Sequence, residues 1–166
     1  MLCCRETLVN GAILSVIASC ILLLSLYVNP RLYLQDYPRD VQAKAPPKTA
    51  SEKRLALVLG VPFLLVLLCV PLLSTLRLKQ HFGASASFPA LALHASGVLW
   101  VFNVVDWLVL DWLMFCTWTP SFMVIPGTEG LPGYKDYGHH FRGFLVGAVL
   151  SLLAGLAIAG IASVFM

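Results

Sequence analysis

The chain has 166 residues, of which 59% are hydrophobic and only 11% are charged. Soluble domains are about 45–50% apolar and about 25% charged, so a soluble fold of this length would expose a large apolar excess to water. A membrane protein exposes that excess to lipid instead. The net charge of +3 is too small to indicate a nucleic-acid partner.

Four apolar segments are long enough to cross a bilayer, because a hydrocarbon core of about 30 Å needs about 20 residues of helix. They are residues 8–28, 55–76, 88–110 and 144–166. Backbone polar groups find no water in lipid, so each segment is predicted to be helical. The sequence therefore predicts an all-α integral membrane protein, with four transmembrane helices in a compact bundle and one domain over residues 1–166.

The first segment resembles a secretory signal peptide in its position, but its apolar run continues for eight residues past Cys20. We therefore interpret it as a retained span. The polar connection that follows, residues 29–54, ends with Thr49 and Glu52 at capping-box spacing. This spacing predicts that the second helix begins near Ala50, before the membrane.

The second span contains Pro62 and Pro71, which predict a static kink more than a transport hinge. A short link over residues 79–87 leads to the third span. Ser87 is the predicted N-cap of that span, and Pro89 falls in its first turn.

The third span carries the unusual chemistry. An Asp at the centre of a membrane helix costs about 2.5–3.5 kcal/mol on insertion scales, and such groups are usually functional. At the α-helical angle per residue, Asn103, Asp106 and Asp111 share an arc of about 140° that should face the protein interior or water. His94 lies roughly 13 Å from Asn103 along the helix axis, and is predicted to be a hydrogen-bonded packing residue.

The connection over residues 117–142 is predicted to be an ordered loop whose ends lie on the same side of the membrane as Asp111. It adds further candidates to the cluster of Asn103, Asp106 and Asp111. These are Glu129, Tyr134, Lys135, Asp136, His139, His140 and Arg142.

Several chemistries fit this cluster. Asp106, Asp111, His139 and His140 are weak candidates for a divalent metal site, although no cofactor is predicted. A proton site or a lipid-phosphate site at the basic residues of the loop is also open. The favoured interpretation is that the carboxylates pair with basic groups of the loop and anchor it.

The fourth span carries small residues at every fourth position. Such a ridge allows another helix to approach closely. The residues are Gly143, Gly147, Ser151, Gly155, Ala159 and Ser163. Gly11, Ser15 and Ser19 form a short matching ridge in the first span, so we expect packing within the chain, possibly between these two helices. A homodimer is the alternative.

Lys and Arg are unevenly distributed. Eight lie in connections 29–54 and 117–142, three lie in the N-terminal segment and the link 79–87 with its flank, and none lies after the fourth span. The positive-inside rule then places both connections in the cytoplasm, and we expect a multi-pass protein of the plasma membrane.

The sequence carries no phosphate loop, nucleophile elbow, zincin motif or paired-cysteine redox motif. Function is therefore predicted only broadly, as a non-enzymatic subunit or scaffold whose partners are the bilayer and other membrane subunits. The alternative is a membrane-embedded enzyme or carrier that uses the carboxylate and histidine site for a metal, a proton or a lipid headgroup.

Overall fold

The computed structural model describes residues 2–164, so Phe165 and Met166 of the predicted fourth span lie outside it. Six helical segments form the framework: α1 (Leu2–Val28), α2 (Arg39–Lys44), α3 (Ala50–Phe82), α4 (Phe88–Val105), a π-helix (Asp106–Trp118) and α5 (Tyr137–Val164). Short 3₁₀ turns at Pro30–Asp36, Gly83–Ser85, Ser121–Met123 and Pro132–Lys135 complete the connections.

Four of the helices are long and apolar enough to cross a membrane, with α4 and the π-helix together forming the third span. Their bounds are Cys4–Val28, Ala50–Phe82, Phe88–Trp118 and Tyr137–Val164. They pack in a compact bundle without strands in the described range, which confirms the predicted fold class. Each helix extends beyond its predicted apolar segment, because a helix can continue into the headgroup region with polar residues at its ends.

The second span begins as its capping box predicts. The Glu52 amide donates to the Thr49 hydroxyl at 3.2 Å, and the Thr49 amide donates to the Glu52 carboxylate at 2.7 Å. These bonds satisfy two amide groups that the first turn of a helix leaves without partners. Glu52 also pairs with Arg31 at 2.9 Å, so the start of α3 is tied to the first connection. Ser87 is the N-cap residue of α4, also as predicted.

Helix α4 lies at the centre of the bundle and packs against α1, α3 and α5. Its core contacts include Ala95 and Val98 against Leu14 of α1 and Ile158 of α5. His94 is fully buried and joins three helices, with Nδ1 2.8 Å from Thr7 Oγ1 and Nε2 3.1 Å from Ser74 Oγ. Its predicted role as a hydrogen-bonded packing residue is confirmed.

The small residues of the first and last spans both face α4 rather than each other. A Cβ atom added at Gly155 would lie 2.6 Å from the backbone nitrogen of Ser96, and one at Gly11 would lie 2.5 Å from Val101 Cβ. A Cβ at Gly147 would collide with the Asn103 amide oxygen, whereas one at Gly143 would meet nothing within 4 Å. At Gly147 and Gly155 the small-residue ridge of α5 therefore packs on α4, where the sequence suggested α1 as a possible partner within the chain.

Helices α3 and α5 meet at the end of the bundle near the Gly83–Ser85 turn. Leu78 packs with Ala159 and Ala162 there, and Lys79 Nζ donates to the Ala162 and Ser163 carbonyls at 2.8 and 3.0 Å. These bonds satisfy carbonyl groups near the C-terminal end of α5. At the opposite end of the bundle the two helices leave a cavity between them.

The first long connection, which contains α2, packs against the second, which precedes α5, at that opposite end. Together they form a small core of their own. Tyr37 and Val41 from the first connection are buried against Met123, Ile125 and Tyr134 from the second. The two long connections therefore lie on the same face of the bundle, as an even number of intervening spans requires.

Candidate functional site

The third span changes from α-helix to π-helix at Asp106. In an α-helix, residues five apart are turned by about 140° from each other. A π-helix closes its hydrogen bonds over five residues, which brings residues five apart close to one face. Asp106, Asp111 and Cys116 have this spacing. The π-helix therefore aligns the two carboxylates more closely than the α-helical geometry assumed from the sequence. Such segments are rare and occur often at functional sites.

The end of the π-helix is capped by a lysine from the following loop. Lys135 Nζ donates to the carbonyls of Cys116 and Thr117 at 2.6 and 3.1 Å, and to Thr119 Oγ1 at 2.8 Å. Thr119 has a positive φ of 52° and its amide donates to the Met114 carbonyl at 2.7 Å. The last carbonyls of a helix have no partner within it, so Lys135 contributes to the structure of the third span.

A cavity of about 1190 Å³ opens beside this π-helix. Its walls come from the C-terminal part of α1, Phe63 of α3, the N-terminal half of α5, the third span and the two long connections. One part of the wall is apolar and includes Leu22, Leu26, Phe63, Val146 and Leu150. The other part is polar. Seven of the ten residues predicted from the sequence line it: Asn103, Asp106, Asp111, Asp136, His139, His140 and Arg142.

Asp111 and His140 form the firmest polar contact in this wall. Asp111 Oδ1 lies 3.0 Å from His140 Nδ1, and the two side chains are 28% and 8% exposed. The His140 ring also packs on Phe115, with 4.7 Å between ring centroids. The second ring nitrogen, Nε2, is buried without a hydrogen-bond partner in residues 2–164. The Cys116 side chain is close enough to act on this imidazole electrostatically.

Asp106 is half-buried, and no basic side chain of the described residues forms an ion pair with it. The charged groups that act on it are Asp111, His140 and Asp36. The adjacent Asn103 amide donates to the Phe144 carbonyl at 3.1 Å and so remains on the wall of the cavity. Of the two carboxylates that the third span places on the cavity wall, one is therefore paired with a histidine and the other is not.

The first connection contributes residues that the sequence did not single out. Asp36 lies exposed at the rim of the cavity, and the Asp36 carbonyl accepts a hydrogen bond from His139 Nε2 at 3.0 Å. The surrounding protein partly shields the Asp36 carboxyl from water and raises its pKa, while Lys48 acts in the opposite direction. Tyr37 also lines the cavity, and burial raises the pKa of its hydroxyl. From the sequence, this connection was considered for its basic residues and its capping box, and Asp36 and Tyr37 were not predicted to join the site.

Two other candidates lie in the second connection, away from the cavity wall. The Glu129 carboxylate is exposed and accepts from the Gly127 amide at 3.0 Å within its own turn. The Tyr134 hydroxyl is buried, where it accepts from the Ile125 amide at 2.9 Å and lies 2.7 Å from Thr128 Oγ1. Both side chains therefore stabilise the conformation of the second connection. Asp136 has two roles, since it lines the cavity and also accepts a hydrogen bond from the His139 amide at the start of α5.

The four weak metal candidates line one cavity without forming a common set of ligands. His140 contacts Asp111, whereas His139 contacts the Asp36 backbone. Within residues 2–164, no group of three or more His, Cys, Asp or Glu side chains is arranged to hold a metal ion.

Comparisons with protein-family models, curated proteins and solved structures give no significant match. The cavity is therefore interpreted from its own chemistry. It joins an apolar compartment at membrane depth to a polar end near the connections. This combination can hold a molecule that has both an apolar and a polar part.

Proposed function

We propose that this membrane protein binds an amphiphile in the cavity between α3, α5 and the third span. The observation that carries the proposal is the division of the wall into an apolar part, with Leu22, Phe63 and Leu150, and a carboxylate-bearing part, with Asp106 and Asp111. Ligand sites are typically about 300–1,000 Å³, mostly apolar, with a few converging polar groups. A volume of about 1190 Å³ is sufficient for a long-chain molecule.

The polar end favours a head group that carries positive charge or donates hydrogen bonds. Its lining holds more acidic than basic side chains, namely Asp36, Asp40, Asp106, Asp111 and Asp136 against Arg39 and Arg142. Neither Asp106 nor Asp36 has an ion-pair partner among residues 2–164. A carboxylate withdrawn from water is costly unless it is paired. A cationic head beside Asp106 would supply that pairing, whereas a carboxylate head would add repulsion.

Binding is favoured over catalysis at this site. A general base must reach the proton that it removes, to within about 3 Å or through one water molecule. His140 is oriented by Asp111, but its free nitrogen, Nε2, is buried away from the cavity space. His140 is therefore not placed to act as a general base on a bound molecule, and we assign the Asp111–His140 pair to the structure of the wall.

The test compares three amphiphiles of equal chain length, a primary amine, an alcohol and a carboxylate, on the purified protein in nanodiscs. We expect saturable binding in the order amine, alcohol, carboxylate. Asp106→Asn should weaken amine binding about tenfold or more, since a hydrogen-bonded charge contact contributes about 1.5–3 kcal/mol. Glu129→Gln removes the same charge outside the cavity and is the control. Absence of saturable binding, or equal effects of the two substitutions, would contradict the proposal.

We also propose that the two long connections face the cytoplasm and that the membrane is the plasma membrane. The Lys and Arg distribution supports this orientation. Reporter fusions at Ala45 and after the C-terminal residue should give opposite topology signals, with the cytoplasmic one at Ala45. The reverse assignment would contradict the proposed orientation and leave the ligand proposal intact.

A further inference from the structure

We infer that the ligand enters the cavity sideways from the bilayer, through the gap between the N-terminal halves of α3 and α5. The inference rests on the proposed amphiphile binding and specifies the source of the ligand, a lipid of the leaflet next to the two long connections. The argument depends on which walls of the cavity are closed and which wall is open.

Toward water, the first connection covers the apolar part of the cavity with a packed segment around Tyr37 and leaves open only the polar rim, where Asp36 and Arg39 are exposed. The Tyr37 hydroxyl donates to the buried Met123 carbonyl at 2.8 Å, and its ring lies edge-on to Phe115 with 5.2 Å between centroids. The Gly133 amide donates to Asp40 at 2.8 Å, and a side chain at Gly133 would collide with that carboxylate. The covering segment is fixed by buried contacts, and the rim beside it is polar, so this side suits a head group and is a poor entrance for an acyl chain.

The walls between α4 and its neighbours are closed as well. Gly147 of α5 lies against Asn103, and Gly11 of α1 lies against Val101, both without space for a methyl group. The far end is closed where Leu78 of α3 packs with Ala159 and Ala162. Between α1 and α3, Leu22 and Phe63 pack against the same apolar core. For an acyl chain, these contacts leave the flank between Phe63 of α3 and the N-terminal half of α5.

The residues on this flank combine two properties. Val146 and Leu150 of α5 line the cavity and are nevertheless 60% and 59% exposed. They are four residues apart and therefore lie on one face of the helix. Phe63 of α3 lines the same cavity from the other side. Both helices are membrane spans, so this opening faces lipid, and an acyl chain is the occupant that its apolar rim fits.

The entrance can be narrowed at Val146 without changing the polar end of the cavity. Val146→Trp places a large side chain at the rim. Val149→Trp is the matched control, because Val149 is 59% exposed on the same helix and does not line the cavity. The measurement is the exchange rate of a fluorescent long-chain amine between donor vesicles and the protein in vesicles of zwitterionic phospholipid.

We expect Val146→Trp to slow both uptake and release at least about tenfold, which requires only about 1.4 kcal/mol of added barrier. Val149→Trp should exchange at the wild-type rate. A second pair, Leu150→Trp and Leu153→Trp, with exposures of 59% and 57%, should show the same contrast and replaces the first pair if a variant does not fold.

The outcomes separate the two proposals. If the wild-type protein does not bind the amine saturably, the proposed function fails. If it binds and the rim substitutions exchange as fast as their controls, the lateral entrance fails while the proposed function stands. Faster exchange in Tyr37→Ala, which loosens the cover, would likewise overturn the lateral entrance in favour of entry from water.

Discussion

A close approach between the backbones of two spans gives a prediction that tests the packing of this bundle. Gly155 of α5 lies against the backbone of Ser96 in α4, and a Cβ there would be 2.6 Å from Ser96 N and 2.7 Å from Ser96 Cα. Ordinary contacts begin near 3.4 Å. Because the obstacle is backbone, no rotamer change can relieve it. Gly155→Ala therefore requires α4 and α5 to separate by about 0.8 Å.

The magnitude follows from a comparison with Gly160→Ala on the same helix, where an added Cβ meets nothing within 4 Å. Both substitutions gain the helix preference of Ala over Gly, about 1 kcal/mol, so their difference isolates the steric conflict. Overpacking in a close-packed interior costs about 1–3 kcal/mol. We expect Gly155→Ala to be less stable than Gly160→Ala by that amount, with Gly160→Ala as stable as the wild type or more so.

The assay is reversible unfolding in mixed detergent micelles, followed by circular dichroism. Gly143→Ala, another position with nothing within 4 Å, should behave like Gly160→Ala although it belongs to the same small-residue ridge. Equal midpoints for the Gly155 and Gly160 variants would refute the close approach of α4 and α5. A loss at Gly143 as large as at Gly155 would mean that the whole ridge is a contact surface, as in a dimer.

Three further predictions use the same unfolding assay. Tyr37→Phe removes a buried hydrogen bond from the segment that covers the cavity and should lower the free energy of unfolding by about 1–3 kcal/mol. The control is Tyr27→Phe, at an exposed ring. An equal effect of the two substitutions would mean that this bond does not hold the covering segment in place. Lys135→Met keeps the aliphatic part of the side chain but removes the cap of the π-helix. It should lower the free energy of unfolding by about 1–3 kcal/mol relative to the control Lys44→Met. Equal unfolding midpoints of the two variants would contradict the capping role. Because the protein raises the pKa of Asp36 above 3.8, the folded state binds this proton more tightly than the unfolded state, and stability should fall as the pH rises through the range above 3.8. Asp36→Asn should reduce that slope, and an unchanged slope would contradict the shift.

The four spans were predictable because their cause is local. A continuous apolar run of about 20 residues has only one way to satisfy its backbone in lipid, and capping residues such as Thr49 mark where the helix starts. The helix ends that lie outside the apolar segments were less predictable. Helix α3 continues to Phe82 and α5 begins at Tyr137, since hydropathy locates the hydrocarbon boundary and not the last hydrogen-bonded turn.

The partner of each helix was not predictable from its own residues. The ridge around Gly147 and Gly155 identifies a surface that another helix can approach closely, but it does not specify which helix. The complementary features on α4 are Asn103 and Ser96, which are ordinary residues in a membrane helix. Only the arrangement of all four spans places α4 between α1 and α5.

Seven of the ten candidate residues line one cavity, but their geometry required the structure. Nothing in residues 106–118 resembles a helix breaker, so α-helical geometry was the natural assumption for Asp106 and Asp111. The contacts that accompany the π-helix come from distant residues, Lys135 at its end and His140 on its face. Asp36 was missed for a similar reason, because its place at the cavity follows from the packing of the two connections.

The cavity gives the two carboxylates of the third span different roles, and this difference bears on why an Asp is tolerated at Asp106. Asp111 is paired with His140, which lies in the first turn of α5. Removal of the Asp111 carboxylate should therefore disturb the cavity wall and lower the stability of the fold. Asp106 lines the same space without an ion-pair partner in the described residues, so the fold gains little from its charge. Asp106 is the carboxyl group that the head group of the proposed amphiphile would contact. Asp106→Asn should therefore leave stability nearly unchanged and weaken binding, whereas Asp111→Asn should reduce both.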